Sequence, residues 1–184
     1  EVLTVEVPKN VFEWPTILSS LDNFANFKVT TEDKTKTEQY RSRAEFSHDK
    51  RNVKDLKSFL FSLNLTPVSL SLSDTNIARA EQMCLKTNQF NLRTKRYTAS
   101  ELLNLHKENN DYVFLVRLSD VYGDHGIVAL VCLRYLAEDI VFLDTFLMSC
   151  RVLGRHLEAW ILDQIIKRAL RNRNRYILTD FIDT

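Results

Sequence analysis

The chain has 184 residues, 45% of them apolar and 27% charged, a composition that supports a packed core and excludes both a disordered chain and a long apolar membrane span. Its 25 basic residues nearly balance 24 acidic ones, so no global field draws it to nucleic acid or to a membrane surface, and any anion site must be local. The length suits one large domain, or one domain with an attached piece.

In chain order, Val2 to Val7 alternates as a strand, and a short helix around Thr16 to Leu21 precedes the apolar Phe24 and Phe27. Glu32 to Phe46 is polar and helix-favouring, with Tyr40, Ala44 and Phe46 as sparse anchors, and Val53 to Leu63 repeats apolar residues at helical spacing. Together they read as a helical connector. After Pro67, Val68, Leu70 and Leu72 alternate as a strand, Asp74 can cap a helix running to Thr87, and Thr98 with Glu101 forms a capping box for the next helix. Three strands follow, Tyr112 to Leu118, Gly126 to Arg134 and Ile140 to Met148, joined by short turns that favour an antiparallel meander. A helix from Gly154 to Leu170 carries Leu157, Trp160, Ile161, Ile165 and Ala169 on one face, and a strand from Arg175 to Ile182 ends the chain. From Pro67 onward this order excludes a doubly wound sheet and predicts an α+β fold with helices packed on a mixed sheet. The strand-like ends suggest a fragment of a larger enzyme.

Cys84, Cys132 and Cys150 lack CxxC spacing, and the first two sit in apolar stretches, so free thiols in a reducing, cytoplasmic setting are expected. No segment combines a basic start, an apolar run and a small-residue cleavage site. His48 and His106 have no second ligand at suitable spacing, and no metal site is expected.

The segment from Phe146 to His156 is where a strand runs out and a helix begins. Backbone N–H groups there lack helical partners, so with Arg151 and Arg155 the turn can hold an anion; the alternative is an ordinary turn with two solvated arginines. Cys150, beside those arginines, suits a nucleophile that carries an acyl group as a thioester, or else is a half-buried structural cysteine. If Arg134 pairs with Ile140, Asp124 and His125 fall opposite Cys150 and Ser149, giving a cluster with His125 as base and Asp124 orienting it. Otherwise Gly123 to Gly126 is a polar hairpin turn. Asp144, six residues from Cys150, is expected on a strand face with Phe142 and Phe146, first as a structural residue and second as a channel lining. Lys86 to Tyr97 carries the amides Asn88, Gln89 and Asn91 and the cations Lys86, Arg93, Lys95 and Arg96. Such a loop can grip a hydroxylated, phosphorylated substrate, or simply be solvated. Arg168, Arg171, Arg173 and Arg175 complement a helix dipole and offer a surface for an acidic carrier-protein helix.

The run Arg151-Val152-Leu153-Gly154-Arg155-His156 resembles the Arg/Gln-x-x-Gly-x-Gly/Ala loop of the GNAT acyltransferases, with His156 in place of Gly or Ala. The resemblance implies that Arg151, Val152, Leu153, Gly154 and Arg155 hold the pyrophosphate of acyl-CoA, with the pantetheine arm between the strands at Ile140 to Met148 and Arg175 to Ile182. Lys86 to Leu92 with Arg96-Tyr97, Tyr122 to Gly126, and Asp144 to Arg155 further resemble the FkbH-like family, which joins a HAD-type phosphatase to a GNAT-like domain. Thr31-Glu32-Asp33 and Tyr40-Arg41 are similar to the stretch where that HAD part passes into its linker.

This resemblance implies a residual HAD edge over 1–30, a helical linker over 31–66 and a GNAT-like domain over 67–184. It implies transfer of a glyceryl-type acyl unit to the phosphopantetheine thiol of an acyl carrier protein in polyketide biosynthesis, with Asn88, Gln89, Asn91, Arg93 and Arg96 as substrate contacts. The carrier protein and the HAD phosphatase domain would be its partners. Leu21-Asp22-Asn23 superficially resembles the HAD nucleophile sequence but follows no buried strand, so phosphatase activity is not expected of this chain. A conventional GNAT N-acetyltransferase using acetyl-CoA, and a non-catalytic module that docks a carrier protein, are the alternatives.

Overall fold

A computed structural model of the chain describes residues 8–20, 36–87, 90, 91, 93 and 95–180, and divides it into two units, Glu1–Lys36 and Thr37–Thr184. In the first, the Asn10 side chain accepts from the Phe12 amide to open a 3-10 turn at Val11–Glu13, and helix α1 (Trp14–Ser19) follows. The strand expected at Val2 to Val7, the residues Phe24 and Phe27 and the Leu21-Asp22-Asn23 segment lie outside the described residues.

The second unit runs α2 (Lys36–Asn52), α3 (Leu56–Ser62), β1 (Thr66–Ser71), α4 (Ile77–Lys86), α5 (Ala99–Glu108), β2 (Val113–Asp120), β3 (Gly123–Ala137), β4 (Ile140–Met148), α6 (Leu157–Arg171) and β5 (Tyr176–Leu178). Its strands lie in sequence order, antiparallel from β1 to β4, with β5 parallel to β4. This is the α+β arrangement the element order predicts. The parallel last pair follows from the helix between β4 and β5, which carries the chain back to the starting end of the sheet.

One sheet face buries Phe114, Val131, Phe146 and Leu143 against Leu157, Ile161 and Ile165 of α6; the other buries Leu115, Leu130 and Leu147 against Met83, Leu102 and Leu105 of α4 and α5. Two-sided burial explains why β2 and β4 read as nearly continuous apolar runs. A third cluster, Phe46, Phe59 and Leu63 with Tyr122, fastens α2 and α3 to the β2–β3 turn.

Local signals decide the helix starts. α4 begins after Asn76 and not at Asp74, because the Asn76 side chain accepts from Ser73 N at 2.9 Å and donates to Ser71 O at 2.9 Å, fixing the turn two residues further on. At α5 both halves of the capping box form, Thr98 Oγ1 accepting from Glu101 N and Glu101 Oε2 accepting from Thr98 N at 2.8 Å. Thr98→Ala is expected to cost about 1 kcal/mol, read as a lower urea midpoint with an unchanged slope.

Two irregularities in the β3–β4 pair position the chemistry. Arg134 lies opposite Phe142, not Ile140, because β3 runs on to Ala137 and the turn closes at the pair Ala137↔Ile140. A register slip further along leaves Asp144 as the extra residue between the pairs Leu133↔Leu143 and Cys132↔Thr145. This bulge reverses the strand's faces. Val141 and Leu143 before it pack with Phe146 and Met148 after it, so Asp144 does not share a face with Phe146 as simple alternation predicts. β5 pairs with β4 only along Ile140–Phe142, and beyond Thr179 Oγ1, which donates to Leu143 O at 3.1 Å, no further pairing of the two strands forms among the described residues. Along the part of β4 that β5 leaves unpaired, Met148 N donates to Phe90 O at 3.2 Å and Asn91 bridges to Leu147.

Candidate active site

β4 ends where Ser149 N donates to Val128 O at 2.8 Å, and the chain makes a 3-10 turn at Cys150–Val152 before α6. Gly154 (φ 84°) and His156 (φ 60°) both take left-handed backbone, so the helix begins at Leu157, later than the expected Gly154, and His156 supplies no side-chain cap. At Gly154 a Cβ would stand 2.7 Å from Lys50 Nζ, and that ammonium donates to Gly154 O at 3.3 Å. The glycine answers both a backbone need and a close approach.

The two arginines of this loop point into the protein. Arg151 donates from Nη2 to the carbonyls of His125 (2.7 Å) and Ile127 (3.1 Å), and from Nη1 to Gln39 Oε1 (2.9 Å). Arg155 is 1% exposed; its Nε pairs with Asp120 Oδ2 at 2.6 Å, its Nη1 donates to Arg151 O at 3.1 Å, and its guanidinium lies 3.9 Å from the Phe46 ring centre. The expectation of outward-facing charge at Arg155 is therefore corrected: apolar cover from α2 and a buried carboxylate hold it inside. Val152 is buried and Leu153 half-buried.

The predicted Cys150, His125, Asp124 cluster does not assemble as drawn. With Val128 beside Ser149, the register carries Asp124 and His125 beyond Cys150. Asp124 is exposed and pairs with Arg117 at 2.5 Å, and that hydrogen bond holds its carboxyl below the usual value. His125 is buried, its Nε2 2.8 Å from Asp120 Oδ1. Asp120 is thus the carboxylate that orients it. Burial works to raise the Asp120 carboxyl, but hydrogen bonds from His125 and Arg155 and their charges hold it below its ordinary value. Nearby, burial and then a 2.6 Å hydrogen bond to Asp49 push Tyr122 up to about 12.

Cys150 is half-buried, and its Sγ accepts from Arg43 Nη1 at 3.6 Å. With Ser149, Arg151, Arg79, Lys86 and Met83 it lines a cleft of about 350 Å³ between α4 and the end of β4. Cys84 and Cys132 are buried, and burial pushes both thiols up, Cys132 the further. Iodoacetamide at neutral pH is accordingly expected to label Cys150 alone in the folded protein and all three thiols after denaturation, as read by peptide mass.

Of the other sequence-derived contacts, Asn88 and Gln89 lie outside the described residues. Asn91 bridges to Leu147 of β4, and Arg96 donates to the Cys84 and Leu85 carbonyls, closing the C-terminus of α4. Arg93 joins Asp144 (2.6 Å) to Asp180 (2.5 Å) and stacks over Phe142. Asp144 is fully buried; its Oδ2 accepts from Tyr97 (2.5 Å) and Thr145 (3.0 Å), while Lys95 and Arg134 stand 3.6 and 3.8 Å from Oδ1. Burial, then the Asp144 contact, pushes the Tyr97 phenol far up. At the end of α6, Arg168 packs on Phe114 and donates to Ser69, and Arg171 pairs with Asp111 at 3.1 Å. Among the described residues no group of three or more His, Cys, Asp or Glu side chains could hold a metal, and no helix is long and apolar enough to cross a membrane.

No protein-family model and no curated protein sequence matches the chain. Among solved structures it is similar to Rv2747 from Mycobacterium tuberculosis, determined in complex with CoA and NLQ, at a TM-score of 0.50 and 13% identity over 64% of this chain and 66% of that one. Ard1 from Thermoplasma volcanium aligns at 0.46 and 11% identity, over 59% of this chain and 66% of its own. A GNAT family acetyltransferase from Staphylococcus aureus aligns at 0.43 and 15%, over 64% and 88%. The chain spans 66% of the length of the first two. The fold is therefore the GNAT-like α+β arrangement, a largely antiparallel five-stranded sheet with packed helices. Fold alone does not carry activity.

Proposed function

We propose that the Thr37–Thr184 unit is a GNAT-type acyltransferase that works on thioesters and uses Cys150 as a transient acyl carrier. The observation that carries this reading is the Cys150 thiol, half-buried at the mouth of a cationic cleft and in contact with Arg43. The sulfur attacks the donor's carbonyl carbon, a C–S bond forms, and the bond to the donor's thiolate breaks, that thiolate leaving with the bonding pair and taking up the proton that Cys150 gives up. A second thiol then attacks the Cys150 thioester, takes the acyl group and releases the cysteine. Arg43 and Arg151 place positive charge where an oxyanion develops or a phosphate docks.

The finer reading is a glyceryl-type acyl unit delivered to the phosphopantetheine thiol of an acyl carrier protein, with a HAD phosphatase domain as partner. It is supported by the way α2 lies across the β4–α6 loop, with Lys50 on Gly154, Gln39 on Arg151 and Arg43 on Cys150. The pyrophosphate of free CoA would have to compete with those contacts. A conventional amine acetylation from acetyl-CoA is the second reading, supported by the likeness of the fold to Rv2747, which was determined in complex with CoA.

Intact mass after incubation with phosphoglyceryl and acyl-CoA donors, with and without carrier protein, separates the two. A hydroxylamine-sensitive adduct on the native chain and none on Cys150→Ser supports thioester transfer. Undiminished amine acetylation by Cys150→Ser supports the second reading. Carrier binding without turnover by either protein leaves the docking module.

A further inference from the structure

Away from the Cys150 cleft, the bulge in β4 turns Asp144 toward three cations. Arg93 is engaged by both local carboxylates, Asp144 and Asp180. Asp144 Oδ2 already accepts from Tyr97 and Thr145, and Oδ1 takes Arg93 at 2.6 Å. Lys95 and Arg134 reach the same Oδ1 only at 3.6 and 3.8 Å, beyond hydrogen-bond distance, with 38% and 49% of their side chains exposed. Among the described residues three cations face two carboxylates, an excess of one positive charge.

We infer that Lys95 and Arg134 form a subsite for a small oxyanion, a phosphate or carboxylate group on the substrate, held beside the bulge of β4 at Asp144. Both cations lie close enough to one oxygen for a single bidentate anion to touch both, and their donors are oriented by Asp144 without being consumed by it. Lys95 is steadied further by the Tyr97 ring, 4.6 Å from its nitrogen. Charge-assisted bonds from two partly desolvated cations select an oxyanion over a neutral hydroxyl. Naming the ligand as substrate rests on the transferase reading; the binding itself does not.

Inorganic phosphate and succinate, titrated separately at constant ionic strength, test this through 1H–15N shifts of the Lys95, Tyr97 and Arg134 amides and the Arg134 Nε–H. Saturable shifts with phosphate alone assign a phosphate subsite, and with succinate a carboxylate subsite. Lys95→Gln and Arg134→Gln should each weaken binding about tenfold, Arg134→Lys should largely retain it, and Asp144→Asn should tighten it by removing the internal competitor. Absence of saturable shifts with either anion overturns the proposal, as does unchanged affinity in the double glutamine variant. The Arg134 Nε–H reports the event in the unsubstituted protein, so a variant that fails to fold does not decide the matter. Anion binding without acyl loading on Cys150 would sink the transfer reading and leave this one standing; loading without anion binding would do the reverse.

Discussion

Asp120→Ala is expected to remove about 3–5 kcal/mol of stability, because it leaves the Arg155 guanidinium buried with no counter-charge. Asp120 and Arg155 have no exposed side-chain surface, and Arg155 Nη2 already lacks a hydrogen-bond partner. The loss is a large share of the roughly 5–15 kcal/mol that holds a domain folded, and would lower the melting temperature by on the order of 10 °C. His125 loses its partner at the same stroke. The pH dependence has a definite sign. A carboxyl depressed on folding stabilises the protein above its unfolded value, near 4, and that contribution fades as pH falls through the lower folded value. Asp120→Asn should therefore be less stable at neutral pH while losing part of the native protein's acid limb below about pH 4. Asp120→Asn combined with Arg155→Met should recover much of the loss, since an apolar side chain of similar length replaces a charge whose partner is gone. Urea unfolding across pH measures all three. A double variant whose loss equals the sum of those of Asp120→Asn and Arg155→Met taken singly would mean the pair is not coupled.

Much of this fold is written in local pattern. The capping box at Thr98 and Glu101, the meander from Val113 to Met148 and the apolar stripe of α6 all follow from spacing, because each is fixed by neighbours within a few residues. What spacing misses is long-range. The bulge at Asp144 shifts the register by one residue, and that slip decides which side chains face α4 and α6. Adjacency in sequence points to Asp124 as the partner of His125, yet the partner is Asp120, across the β2–β3 turn and shared with Arg155 from another element. The signal in the sequence is Asp120 itself, an acid that closes a mostly apolar strand five residues before a histidine. Likewise nothing local tells that α2, polar along most of its length, will lay Arg43, Phe46 and Lys50 against the β4–α6 loop.

Cys150→Ser is expected to lower acyl transfer by roughly three orders of magnitude or more while leaving the fold intact. Serine is the smaller residue, but at this half-exposed turn the substitution removes chemistry and little packing. A serine hydroxyl needs a base within hydrogen-bond reach, whereas a cysteine is intrinsically far more nucleophilic. Among the described residues Sγ is hydrogen-bonded to Arg43, a donor that cannot take a proton, and the nitrogen of His125 that reaches a carboxylate is occupied by Asp120. No arrangement here would rescue the hydroxyl. Arg43→Gln should give an intermediate loss in kcat/KM, because the cleft keeps Arg79, Lys86 and Arg151. Single-turnover transfer from a labelled thioester, with circular dichroism as the check on folding, gives the result directly. A rate within tenfold of the native protein would mean the acyl group passes straight from donor to acceptor, and Cys150 would then serve only to shape the end of β4.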